Sequence, residues 1–211
     1  MAAFQMVFVL LTIISNGFVI LMFVCKPFLI TAFNISVMYL LASNLLYTII
    51  DGPLGIVANL YSNWPLGRKW CNVHLFWTWV FVGFIVTGHL GIVLNRVWAL
   101  FFPFHYRNYH SKKVAVLMVI LLSSCVVILL TPVTVMDMVY YRGSEVEYGC
   151  VVNMEAQWLY TTILQIGFYD FINLFPMTMY PFLCYKFFSH ARFRARITQK
   201  PGELPGGKCR K

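Results

Sequence analysis

In 211 residues the chain carries 60% hydrophobic and 11% charged residues, with a mean hydropathy of +0.74. Soluble domains average about 25% charged and about 45–50% apolar residues, so an ordinary globular protein is excluded, as is a disordered chain, which needs dense charge. Six cysteines fall short of the roughly 8–10% of a disulfide scaffold, and a formal charge of +9 lodged between apolar runs reads as membrane topology, not as a nucleic-acid surface.

A spanning helix takes about 20 residues, so the length has room for about five. No charge precedes Lys26, and the run ahead of it is too long and too poor in basic residues for a cleavable signal peptide. A second uncharged stretch, Pro27 to Ile50, continues past Asp51 through Pro53, Leu54 and Ile56. The third runs from Trp70 to Asn95 and the fourth from Val114 to Met136, while the fifth, Ala156 to Tyr185, is broken only by Asp170. Backbone in lipid must satisfy its own hydrogen bonds, and these runs lack strand alternation, so all are predicted as helices. The expected fold is an all-α integral membrane bundle over 1–189, with helices at 4–25, 30–57, 70–101, 113–137 and 157–188. A basic tail, 190–211, follows; its first residues either lie on an anionic leaflet or form an unfolded stub.

Thirteen of the sixteen basic residues fall on one side of this bundle, and only Arg68, Lys69 and Arg142 fall on the other, beside Glu145, Glu147 and Glu155. The positive-inside rule then puts the N-terminus outside and the tail in the cytosol. The sequon Asn34-Ile35-Ser36 falls on the cytosolic side, so an N-glycan there would reverse the orientation. The protein is expected in the lipid bilayer as a multi-pass protein of the plasma membrane, with no nucleic-acid partner.

Cys71 and Cys150 both lie on the outer, oxidising side, where a bridge would close about 80 residues; two free thiols are the alternative. Asn16 and Asn44 sit near mid-membrane, either as a polar core joining the first three helices or as local hydrogen-bond glue worth about 1 kcal/mol or less. At the inner end of helix three, Asn95-Arg96-Val97 precedes Phe101-Phe102-Pro103-Phe104; Arg96 either snorkels to headgroups or makes a switchable contact. His74 and His89 are fifteen residues apart, about four turns, with no histidine in the other spans to face them. No metal or cofactor is therefore expected, and no His, Ser and acid cluster at catalytic spacing points to an enzyme.

Together these residues resemble the rhodopsin-like G-protein-coupled receptors. Asn16 in Ser-Asn-Gly is similar to the family's helix-one asparagine, and Thr31-x-x-Asn34 to the motif opening helix two. Asn44 stands where the family usually has its sodium-site aspartate; Pro53, Trp64, Pro132 and Pro176 match the family's residues in helix two, the first outer loop, helix four and helix five. Cys71 and Cys150 correspond to its helix-three-to-loop disulfide, and Asn95-Arg96-Val97 resembles the Asp-Arg-Tyr signature, with Pro103 seven residues beyond the arginine. The intervals 28 from Asn16 to Asn44, 27 to Cys71 and 25 to Arg96 keep the family register. Departures are equally specific: Asn44 removes the sodium-site acid, Asn95 removes the acid that restrains the arginine at rest, and Ser123 replaces a tryptophan. The Asn-Arg pair, the Phe-Phe-Pro-Phe-His-Tyr stretch and Phe168-Tyr169-Asp170-Phe171 resemble nematode serpentine chemoreceptors of the srx type.

By this resemblance the chain is a receptor truncated after the fifth helix, without the sixth and seventh whose movement opens the cytosolic site. Completed by them, it would transduce an extracellular, chemosensory signal to a heterotrimeric G protein through Asn95, Arg96, Val97 and Pro103. The pocket is expected between helices two, three and five. His74, Thr78 and Val82 share one face of helix three, Tyr47 and Asp51 lie a turn apart on helix two, and Gln165 and Tyr169 do so on helix five. Asp51 and Asp170, near the outer face, suit a cationic or polar ligand. The alternatives are a truncated, non-signalling chain that pairs with full-length receptors, and a small multi-span transporter, for which no repeat is visible.

Overall fold

The structure, a computed structural model, describes residues 2–61, 63–142 and 149–198. The loop acids Glu145 and Glu147 and the tail from 199 onward, with Lys200, Lys208, Cys209, Arg210 and Lys211, lie outside the described residues. The helices are α1 (Ala2–Cys25), α2 (Ala32–Leu60), α3 (Gly67–Phe101), α4 (Pro103–Tyr109), α5 (Lys112–Met136), α6 (Trp158–Ile163) and α7 (Phe171–Thr198). A π-helical turn, Asp137–Tyr141, prolongs α5, and a second π segment, Leu164–Asp170, joins α6 to α7. No strand occurs among the described residues.

Four of these helical stretches are long and apolar enough to cross a membrane: Ala2–Cys25, Ala32–Leu60, Gly67–Phe101 and Lys112–Tyr141. The expected fifth span, 157–188, is helical without a gap from Trp158 to Thr198, but in three pieces. Its closing part takes in Lys186, Arg192, Arg194 and Arg196, which dilute the apolar run. The helix thus passes the 189 boundary expected for the bundle and is described as far as Thr198. The stretch after Phe102, read as loop, instead contains α4. Pro103 opens it at a position where its missing N–H costs nothing.

Local chemistry sets the starts of α2 and α5. Thr31 Oγ1 accepts from the Asn34 amide (3.3 Å) while Asn34 Nδ2 donates to the Leu29 carbonyl (2.6 Å), which makes the Thr-x-x-Asn stretch a helix cap. Ser111 Oγ accepts from the Val114 amide in the same way (3.4 Å). The helices turn apolar side chains outward, among them Phe4, Leu10, Ile14 and Phe18 of α1, as a lipid solvent permits.

α3 is the axis of the bundle, packed by α2, α5 and α7, with α1 resting on α2. Val86 meets Val126, Leu130 and Val133 of α5 and Leu164, Phe168 and Tyr169 of the fifth run in one apolar core. A hydrogen-bonded node crosses three helices: Ser123 Oγ donates to Tyr39 Oη (3.1 Å), which lies 3.5 Å from Thr87 Oγ1. Ser123, the departure from the family's tryptophan, therefore has a partner of its own.

Close approach of α3 and α5 depends on Gly83. A Cβ there would stand 2.7 Å from Val126 Cγ1 and 2.9 Å from Leu130 Cδ1, whereas one at Gly17 would meet nothing within 4 Å. Gly83→Ala is expected to lower stability by about 1–3 kcal/mol, read as a fall in melting temperature in detergent. Gly17→Ala is the matched control and should leave the melt unchanged or raise it; equal behaviour of the two variants would refute the packing argument.

Candidate functional site

One end of the bundle is tied together covalently. Cys71, fully buried at the start of α3, is bridged to Cys150, 79 residues later. Arg142 braces the bridge: its Nε and Nη2 donate to Asp137 Oδ2 at 3.0 and 2.6 Å, and its Nη1 donates to Asn72 Oδ1 and to Cys71 Sγ. Asp137 Oδ1 accepts from the Asn153 amide (2.8 Å), and Asn153 Nδ2 donates to the Tyr141 carbonyl (2.9 Å). Both charged side chains are enclosed, at 3% and 0% exposure, and the hydrogen bonds on both sides are what make such burial tolerable. The π turn creates the pairing, since its i to i+5 bond, Arg142 N to Asp137 O at 2.9 Å, places the two side chains on one face. Sequence reasoning noted Arg142 but gave it no partner. The available signal was that Arg142 is the single base of the 137–155 loop region.

Beside this brace four expected pocket residues meet. His74 Nδ1 donates to Asp51 Oδ1 (2.6 Å) and the Thr78 hydroxyl donates to Asp51 Oδ2 (2.8 Å). The Trp64 indole stacks on His74, with centroids 5.4 Å apart and planes 10° from parallel. Trp64 is held by its own Nε1, which donates to the carbonyl of Gly67, a residue whose φ of 73° favours glycine. Tyr47, Asp51, His74 and Thr78 then line a cavity of ≈ 380 Å³ whose other wall is Gln5, Val9 and Thr12 of α1. Asp51 is 2% exposed with both oxygens engaged, so it reads as the strut between α2 and α3 and offers no open carboxylate to a cation.

The remaining pocket candidates lie elsewhere. Val82 packs against the α3–α5 core, and Tyr169 is buried there, its hydroxyl donating to the Trp79 carbonyl (3.0 Å). Gln165 lines a second cavity of ≈ 270 Å³ with Trp79, Met154, Glu155, Trp158, Thr161 and Thr162. Of these only Gln165 was singled out from the sequence. Asn16 Nδ2 donates to the Thr12 carbonyl of its own helix (2.9 Å), and no side-chain hydrogen bond links it to Asn44 among the described residues.

At the opposite, basic end Arg96 is exposed and lies over the Phe33 ring, 3.6 Å from its centroid. Such a contact is worth about 0.5–1 kcal/mol when exposed. Neighbouring Asn95 is 2% exposed with Oδ1 unpartnered, and Val97 is half-buried. α4 packs back through an aromatic group in which Trp98 Nε1 donates to His105 Nδ1 (3.0 Å) and His110 stacks on Tyr106 at 4.3 Å. Neither ring nitrogen of His110 has a partner among the described residues, and burial pushes its pKa below the ordinary 6.5. A folded value below the unfolded one means that the stability tied to neutral His110 is full above about pH 6.5 and is lost as pH falls through the folded value. An NMR titration of the His110 ring is expected to show a midpoint below 6.5; a midpoint at or above it would contradict the burial argument.

Long apolar helices around a shared core, closed at one end by a disulfide, define a multi-pass membrane bundle. The profile of the 7 transmembrane receptor (rhodopsin family) matches residues 15–203, and the chain belongs to that family. It is similar to the QRFP-like peptide receptor of Branchiostoma floridae, 27% identical over 109 residues, or 52% of this chain and 29% of that one. It is also similar to neuropeptide FF receptor 2 of Rattus norvegicus, 24% identical over 168 residues, or 73% of this chain and 40% of that one. The chain thus spans well under half the length of either relative.

Proposed function

We propose that the chain forms the ligand-binding face and the G-protein-facing arginine of a plasma-membrane receptor for an extracellular peptide, acting together with the sixth and seventh spans of the family. The observation that carries this reading is the disulfide end: the bridge pins the loop after α5 beside α3, next to the cavities walled by Asp51–His74 and by Trp79–Glu155. A disulfide belongs to an oxidising compartment, and the basic residues gather at the far end, which orients the disulfide end outward and the tail to the cytosol. A peptide is preferred to the chemosensory ligand of the serpentine resemblance because both relatives carry peptides in their names. Arg96, with Asn95, Val97 and Pro103 around it, is the contact for a heterotrimeric G protein.

The test co-expresses the chain with the sixth and seventh spans of the rat relative and screens a neuropeptide library for saturable binding. One peptide is expected to bind and to drive nucleotide exchange, and Arg96→Ala should abolish exchange while leaving binding in place. A folded, bridged chain that binds no peptide would sink the reading. Exchange unaffected by Arg96→Ala would remove the arginine from it.

A further inference from the structure

Of the two aspartates expected to greet a cationic ligand, only Asp51 is buried with both oxygens taken. Asp51 is held by His74 and Thr78, and Asp170 Oδ1 accepts from Gln165 Nε2 (2.9 Å). The acid that lines the second cavity is Glu155, which is exposed and makes no ion pair or side-chain hydrogen bond among the described residues. It shares the ≈ 270 Å³ cavity with two tryptophans, Trp79 and Trp158. Trp79 is anchored, because the Tyr169 ring meets it edge to face at 5.8 Å and the Tyr169 hydroxyl holds its carbonyl. Trp158 is 66% exposed, so its ring remains open to a ligand. A carboxylate beside indole rings is the chemistry that attracts a cation, since the ring faces carry negative potential and the acid supplies the opposite charge. Ligand pockets usually run to about 300–1,000 Å³, so this one suits a single side-chain-sized group rather than a whole ligand.

We infer that this cavity is a subsite for one cationic group of the ligand, a guanidinium or an alkylammonium, with Glu155 as counter-ion and Trp79 and Trp158 as aromatic walls. Its biological meaning rests on the receptor reading above; its chemistry does not. Thr162 and Gln165, on the same wall, supply hydrogen-bonding groups beside the cation.

The test uses the full 211-residue chain in zwitterionic nanodiscs. Saturation-transfer NMR follows N-acetyl-arginine amide, N-acetyl-lysine amide and the neutral isostere N-acetyl-citrulline amide. At least one cationic probe is expected to bind about tenfold more tightly than the neutral one, and the stronger of the two names the group. Glu155→Gln should remove that advantage while leaving citrulline binding unchanged, and Trp158→Leu should weaken the cation several-fold, in variants that keep the Cys71–Cys150 bridge and the parent melt. Equal binding of all three probes, or a Glu155→Gln chain that keeps the cation's advantage, would overturn the subsite. Cation binding in a chain that recognises no peptide would instead leave the subsite standing and remove the receptor reading.

Discussion

Cys71→Ser is expected to lower the free energy of unfolding by about 4.5 kcal/mol, the loop-entropy cost of releasing a closed segment of this size. The bridge joins residues 79 apart, so almost the whole of α3, α4 and α5 lies inside the ring it closes. Its loss is also local, because Cys71 is fully buried against Trp64, Leu75 and Val152, and Arg142 Nη1 rests on its sulfur. Guanidinium unfolding of the detergent-solubilised protein, with and without reductant, is the measurement. Reduced wild type and Cys71→Ser should coincide. A bridge-free chain as stable as the parent would show that the brace around Arg142 holds this end by itself.

That brace is the second large effect. Asp137→Asn keeps the shape of the side chain but leaves the Arg142 guanidinium enclosed without a counter-charge, and breaking a buried pair in this way costs about 3–5 kcal/mol. Asparagine keeps one acceptor oxygen where the carboxylate has two, so the variant cannot accept from both Arg142 and the Asn153 amide in this geometry. Arg142→Met removes the stranded charge, and the Asp137→Asn/Arg142→Met double variant should recover most of the loss. A cycle in which the two single changes simply add would mean that the charges do not interact. Because Arg142 touches Cys71, Asp137→Asn and Cys71→Ser should be less than additive when combined.

Hydropathy carried much of this architecture. Four of the apolar runs have a counterpart among the helices long and apolar enough to cross a membrane, although α3 continues past its run, from Asn95 on to Phe101. Spacing carried the α3 half of one cavity, because His74 and Thr78, four apart, must share a face. What hydropathy does not encode is rotation. Val82 stands one further turn along from Thr78, yet it packs toward α5, as the drift of a 3.6-residue turn and the slant of packed helices allow. The π turn at Asp137 and the π segment at Leu164 left no mark in composition, and they decide that Arg142 meets Asp137 and how α6 reaches α7. Glu155 and Trp158 were hidden for another reason: they sit where loop becomes helix, and their neighbour Trp79 is remote in sequence.

Arg96 is held at rest by a benzene ring, and a ring has no proton to gain. In the family's usual arrangement an acid restrains this arginine, so acidity can loosen the clasp by protonating the carboxylate. Here the contact between α2 and α3 at this arginine is made by a phenyl ring. It rests instead on the electron density of one phenyl face.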